Sequence, residues 1–457
     1  MTRSLRYTIL CLWLGLVVCA SFAGGRHIRR IADATIVSPS RFTALPAAAI
    51  GASDYRPSAD DDSAIDPSET FRDVLRYVRT EYVDRVTDDG KLSAGAVKTM
   101  LMSLDDPRTR FLDPSQRERL EAQVNGKFTG IGAVLTVVKR KRNAIEQRRL
   151  AVVAPVPGGP ADKAGLRAGD VITEIGGRWV IAYDPRLDLD QLRVRDMDEQ
   201  SYRNAFKQAT QRLTDGVTLP KALDTLATNA EKPLEITVER AGSEKPLKLT
   251  VLPAGVEVVP VEYRTLPRGG AYLRVTQFGD RATREFTQAL SGGSPRALVV
   301  DLRDNVGGPV TGARAGVYGS ALQLLSRLTP GGSVGAVVRK GDRKQAVTVE
   351  TEGARHPKLA VLVNSGTANI AEWVAAALRD RGGAVIVGAR TFGDATLQKL
   401  VPLGGGSAMT LTTGKLLTAR GVDFAGTGIK PDRAVATGGP RADDPVVTQA
   451  LGWLARA

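Results

Sequence analysis

Histidine and cysteine are nearly missing from this chain. Its 457 residues include two of each: His27, His356, Cys11 and Cys19. Both cysteines fall within the first twenty residues. Once that segment is removed, no thiol remains, so a disulfide, a thiolate nucleophile and a cysteine-held metal are all excluded. Neither histidine has a second imidazole near it in sequence, which excludes HExxH zinc chemistry. A Ser-His-Asp triad would have to recruit His27, in a basic patch, or His356, between Arg355 and Pro357. No GxGxxG or GxxxxGK[ST] occurs, so a dinucleotide fingerprint and a P-loop are absent too. The sequence implies no cofactor and no metal. Its net charge of +14 is spread along the chain rather than gathered in a stripe, which argues against nucleic acid as a partner.

One apolar run stands out. Arg3 and Arg6 precede it, it extends from Tyr7 to Phe22, and Ala23 follows with Ser21 two positions earlier. This is the pattern of a secretory signal covering 1–23, cut after Ala23, with an uncleaved N-terminal anchor as the alternative. Export to the bacterial periplasm or cell envelope follows. The basic excess fits either peripheral association with anionic lipid or simple solubility. Residues 24–67, rich in Ala, Ser, Pro, Asp and Gly, read as a flexible lead-in.

Three kinds of patterning follow. In 68–125, Phe71, Val74, Leu75 and Val78 fall at helical spacing. Leu92, Ala96, Val97, Met100, Leu101 and Leu104 form a second stripe, and a further helix is predicted from Ser115. In 126–258, short strands at 150–153, 171–175 and 234–238 alternate with glycine turns. The stretch 183–230, helix-like at 202–213 and 219–227, reads as an insertion that either decorates the surface or covers a groove. In 259–440, apolar runs at 271–275, 297–302, 359–363 and 384–387 alternate with helical segments at 282–290 and 370–380, the mark of a parallel sheet buried on both faces. Residues 441–457 read as a turn-rich tail. The fold class is mixed α+β and multidomain: a helical unit, a small β-rich module with a helical insertion, and an α/β core.

Several segments could present backbone N–H groups to an anion. Gly130-Ile131-Gly132-Ala133 precedes a strand and could seat a carboxylate while a peptide pairs with the edge, although each such loop also reads as an ordinary turn. Asp301-Leu302-Arg303-Asp304-Asn305-Val306-Gly307-Gly308 follows a buried strand at its carboxyl end, where open α/β sheets place ligands. In Asn364-Ser365-Gly366-Thr367-Ala368-Asn369-Ile370-Ala371-Glu372, Asn369 and Glu372 have capping-box spacing, which puts Asn369 at a helix N-terminus able to stabilise a developing oxyanion.

Taken together, the chain resembles the C-terminal processing (tail-specific) peptidases, the PDZ-bearing serine proteases that use a Ser–Lys pair. The resemblance covers about residues 69–436. It is carried by Glu81-Tyr82-Val83-Asp84, the run 104–112 (LDDPRTRFL), Gly130-Ile131-Gly132, the stretch 159–172, the run 272–278 (YLRVTQF), the 301–308 motif, Thr391-Phe392-Gly393 and Gly428-Ile429-Lys430-Pro431-Asp432. It implies a PDZ-like domain at 126–258, a ClpP/crotonase-like protease core, and peptide C-termini as the ligand. Aligned on Glu372, the family's serine position holds Asn369. The position after Thr391-Phe392-Gly393, where the family has its lysine base, holds Asp394, while Gln398 matches the glutamine that orients that lysine. The resemblance also assigns oxyanion donors to Gly307, Gly308 and Ile370, and the peptide seat to Gly130, Ile131, Gly132 and Ala133.

A Ser–Lys dyad needs a hydroxyl that attacks and a desolvated amine that takes its proton. An amide and a carboxylate supply neither. The expectation is a silent homologue that binds peptide or protein C-termini, alone or beside an active protease or envelope partner, with Asn369 and Asp394 hydrogen-bonded across the cleft. Two alternatives stay open. One is an active serine-type endopeptidase with a relocated dyad drawn from Ser365, Thr367 and Lys415; the other is a purely structural envelope scaffold. The sequence assigns no oligomeric state.

Overall fold

A computed structural model of the chain describes residues 66–456 apart from 143–144, 184, 190–196, 229–231, 293–294, 309–315, 352–356 and 437–442. The leader with its cysteines, nearly all of the lead-in, and both histidines lie outside the described residues.

The described residues divide into two units between Thr87 and Asp88, inside the stretch 68–125 that the sequence suggested was one helical region. In the first unit, Asp66 caps helix Pro67–Glu81 by accepting from Ser68 and Glu69 N–H, with Pro67 in the first turn where its missing N–H costs nothing. In the second unit, helix Asp89–Met102 buries Leu101 but leaves Leu92, Met100 and Met102 exposed. The rest of 88–125 does not stand apart as a helical domain. Strand Arg110–Leu112 pairs antiparallel with Ala408–Leu417, so this early segment completes a sheet of the core.

A seven-stranded sheet carries the β-rich module. Strand Ala133–Arg142 lies at one edge, beside Ile145–Pro155, which pairs with Val171–Ile175. The module's interior contains Ile131, Leu150, Val152, Leu166, Ile172, Ile236 and Val238. Val217, Ala222 and Leu226 belong to that interior as well. Thus helix Leu219–Ala227, which the sequence placed in a surface insertion, is a structural wall of the module. Its modest apolar content hid this, because only one narrow stripe of a nine-residue helix needs to be buried.

The core sheet has six strands. In order these are Val261–Leu266, Gly270–Val275, Ala297–Asp301, Lys358–Val363, Val385–Gly388 and Arg433–Ala434, the first antiparallel to its neighbour and the rest parallel. Side chains alternate strictly across it. Ala271, Leu273 and Val275 face a cluster with Phe286, Leu324 and Trp373 from three helices, while Tyr272, Val299 and Leu362 face the opposite side. That opposite side is covered by Val446, Val447, Ala450 and Leu454 of helix Pro445–Arg456. The expected tail after 440 is therefore part of the core. Without it, one face of a parallel sheet would lie open to water. A second, five-stranded antiparallel sheet contains Gly332–Arg339, Arg343–Val349, Thr396–Pro402 and Ala408–Leu417 with Arg110–Leu112.

Candidate active site

The carboxyl ends of the parallel strands converge on Asn369. Strand Lys358–Val363 ends, a tight turn follows, and helix Ile370–Gly382 starts. Asn369 occupies that turn with φ 55° and ψ −124°, a backbone state costly for any residue but glycine. A strained strand-to-helix turn of this kind is how α/β enzymes expose a nucleophile above a sheet.

The turn is braced from below. Asn305 donates to Val275 O at 2.8 Å, accepts from Gly307 N at 2.8 Å, and its carbonyl receives Ala368 N at 2.9 Å. Asn364 clasps Asp304, accepting from its backbone N–H at 3.0 Å and donating to its carboxylate at 2.8 Å. A side chain at Gly307 would place its Cβ 2.8 Å from Ile370 N, so the two loops can close only over a glycine. Farther down, Arg303 is fully buried between Asp301 and Asp444, and Tyr272 donates to Asp301 at 2.8 Å. Burial against Asp301 pushes the Tyr272 phenol far above its ordinary range, so it stays a donor.

Glu372 holds the site together. It is fully buried and accepts from Asn369 N at 3.0 Å, Gly393 N at 2.7 Å, Asp394 N at 2.7 Å and the Thr391 hydroxyl. Helix and loop are thereby locked in register. Burial pushes its pKa up to about 7 despite these donors. The reach of Glu372 back to the Asn369 N–H forms as its spacing predicted. The reciprocal half does not, since Asn369 Oδ1 is buried and accepts no hydrogen bond among the described residues.

The expected Asn369–Asp394 hydrogen bond is absent among the described residues. Both side chains bind Thr396 instead. Asn369 Nδ2 donates to Thr396 O at 2.7 Å, while Asp394 Oδ1 accepts from Thr396 N at 3.0 Å and from its hydroxyl at 2.7 Å. The other oxygen of Asp394 pairs with Arg108 at 2.7 Å. A carboxylate in a desolvated cleft needs a cation more than it needs an amide, and Arg108 supplies one. No local spacing points to this partner, which comes from the distant run LDDPRTRFL.

Of the three assigned oxyanion donors, one is free. Gly307 N donates to Asn305 and Gly308 N to Val306 O. Ile370 N, the first of its helix, donates to nothing among the described residues. The relocated dyad is not assembled either. Thr367 is fully buried, with its hydroxyl donating to Leu302 O at 2.8 Å and accepting from Asn364 N at 3.0 Å. Ser365 lies in the turn itself rather than at the strand end, and both it and Lys415 are exposed. No hydrogen bond joins Lys415 to either hydroxyl among the described residues.

Asn369, Asp394 and Gln398 line a cavity of about 320 Å³ that also takes in Ala133–Val137 along the edge strand and Leu223, Leu226 and Ala227 of the module's helix. The cleft and the module's groove are thus one space. At its end, the loop Gly130–Ala133 packs on that helix: Ile131 N donates to Leu226 O at 2.9 Å, and a Cβ at Gly130 would lie 2.1 Å from the same carbonyl. One amide of the expected carboxylate seat is therefore already engaged. No group of His, Cys, Asp and Glu among the described residues could hold a metal ion, and no described helix is long and apolar enough to cross a membrane.

Comparison with known proteins agrees with this geometry. Residues 269–435 match the family model described as peptidase family S41, and residues 152–192 match a PDZ domain. A carboxy-terminal-processing protease of Bartonella bacilliformis is 29% identical over 377 residues, which is 80% of this chain and 74% of that protein. A chloroplastic C-terminal processing peptidase of Tetradesmus obliquus is 28% identical over 374 residues, 78% and 70% of the respective chains. Among solved structures, the photosystem II D1 C-terminal processing protease superposes with a TM-score of 0.55 at 27% identity, covering 80% of this chain and 86% of that one. With the PDZ module, the α/β core and the strained turn at its carboxyl edge in one chain, the protein is similar to the PDZ-bearing C-terminal-processing peptidases, and its residues 269–435 match family S41.

Proposed function

We propose that this chain is an exported, catalytically silent C-terminal-processing peptidase homologue that captures peptide or protein C-termini along its PDZ-like domain, 126–258. One observation carries the reading. In a cleft continuous with the groove, the nucleophile and base positions are an amide tied to Thr396 and a carboxylate tied to Arg108. Asn369 has no lone pair suited to attack a carbonyl, and Asp394 already accepts three bonds, so neither activates a water as a paired acid–base couple does. The binding end keeps what capture requires: an edge strand with unpaired backbone groups and a half-buried apolar wall at Leu223. We read the core as ClpP/crotonase-like, supported by parallel strands covered on both faces with the site at their carboxyl ends.

The test compares hydrolysis of unfolded protein and of free-carboxyl peptides by the wild type, by Asn369→Ser/Asp394→Lys, and by the same pair with Arg108→Ala. A lysine at 394 in the double variant meets Arg108 where a carboxylate stood, a like-charge contact worth about 2 kcal/mol or more when partly buried. Turnover is expected first in the triple variant and none in the wild type. Wild-type turnover that survives repurification and disappears in both Asn369→Ala and Asp394→Ala overturns the reading.

A further inference from the structure

Three guanidinium groups line the shared cavity: Arg108, Arg110 and Arg119. Two are matched. Arg108 pairs with Asp394 at 2.7 Å and Arg119 with Asp224 at 3.1 Å, and both carboxylates belong to the same lining. Arg110 makes no ion pair or hydrogen bond among the described residues. Strand register explains its position. Arg110 stands opposite Thr410, itself part of the lining, and strand alternation puts Leu112 on the same face, where it is buried at the cavity wall. Phe111, on the other face, meets Lys98 instead.

Arg110 is exposed where it lines the cavity, and no carboxylate pairs with it among the described residues. An unpaired guanidinium lining a groove can take an anion without first breaking another ion pair. The amide seat at Gly130–Ala133 is short of a donor, because Ile131 N is taken by Leu226 O. A captured peptide therefore meets an unpaired cation, Arg110, in the cavity lining.

We propose that Arg110 receives a carboxylate of the peptide held in this cavity, making the chain selective for peptides that bring negative charge into the groove. This rests on the capture reading above. The carboxylate is either the peptide's own α-carboxylate or an Asp or Glu side chain, since a planar guanidinium grips both alike through paired N–H donors.

Four fluorescent peptides separate these sources: one sequence with a free or amidated terminus, each with Asp or with Asn at the acidic positions. Binding is read by anisotropy for the wild type, Arg110→Gln and Arg110→Lys. In the wild type, loss of the received carboxylate is expected to weaken binding about tenfold or more. Sensitivity to amidation identifies the α-carboxylate, and sensitivity to Asp→Asn the side chain. Arg110→Gln is expected to bind the charged peptides as weakly as the neutral one, and Arg110→Lys to recover part of the loss. If Arg110→Gln keeps wild-type affinities and the same discrimination, this inference fails while capture stands. Equal wild-type affinity for all four peptides overturns it without reference to any variant. No wild-type binding to any of them overturns both.

Discussion

The turn at Asn369 and the PDZ-like groove share one cavity but treat their polar groups in opposite ways. At the turn, nearly every donor and acceptor is matched: Glu372 takes four donors, Asp394 takes Thr396 and Arg108, and the amides of Gly307 and Gly308 are closed off. Along the groove, an edge strand and a half-buried helix face leave backbone and apolar surface without partners, and Arg110 stands uncompensated. The first region is built like a structural joint and the second like a receptor. A cleft prepared for chemistry keeps a nucleophile and a base poised and unmatched, since groups already committed must first be released before they can react. Here the turn leaves only Asn369 Oδ1 and the Ile370 N–H unmatched among the described residues, while the unpaired cation Arg110 lies along the groove.

The sharpest way to break this contrast is at Glu372. Glu372→Ala strips a buried acceptor from four donors and leaves a void, so a loss of about 3–5 kcal/mol in unfolding free energy is expected by chemical denaturation. Glu372→Gln is expected to cost less than alanine, because its amide oxygen still accepts from the Asn369 and Asp394 N–H groups and no void forms, although its NH₂ then faces the Gly393 N–H. If alanine and glutamine behave alike, the turn is not the joint described here.

A smaller effect comes from pH. The Glu372 carboxyl is pushed from an ordinary 4.5 to about 7 in the folded protein. Between those values the folded chain keeps a proton that the unfolded chain has released, so stability is greatest below about pH 4.5 and declines as pH rises to about 7. The wild type is expected to lose stability relative to Glu372→Gln across that window by about 1.4 kcal/mol for each pH unit at most. Denaturation midpoints of the two proteins at matched pH cancel the other carboxylates. A flat difference means Glu372 is ionised throughout.

The groove should answer the other way, with little change in stability and a clear change in binding. Leu223→Ala removes half-buried apolar area from the cavity wall, for which roughly 1 kcal/mol of stability and a several-fold weaker peptide affinity are expected, read by melting and anisotropy. A large stability loss with unchanged affinity would reverse the assignment of the two regions.

Much of the frame was legible beforehand. Continuous apolar runs marked the parallel strands, the asparagine–glutamate spacing marked the helix start, and ordered motifs carried the resemblance that aligns Asn369 and Asp394 with the dyad positions. The helix Leu219–Ala227 was found, but its role was misjudged. Helix Pro445–Arg456 was missed because its apolar positions follow a turn-rich stretch and make sense only against a sheet face left uncovered. The hairpin Gly332–Arg339 with Arg343–Val349 was likewise unread, since half-exposed antiparallel strands alternate weakly.

Alone, the sequence determined composition, periodicity and motif order, hence the resemblance on which the reading of Asn369 and Asp394 rests, because these are local properties of the chain. Tertiary structure alone decided the pairing of Arg108 with Asp394, the gathering of four donors on Glu372 and the isolation of Arg110. Such matches depend on which distant side chains share a desolvated space, and no local spacing encodes that.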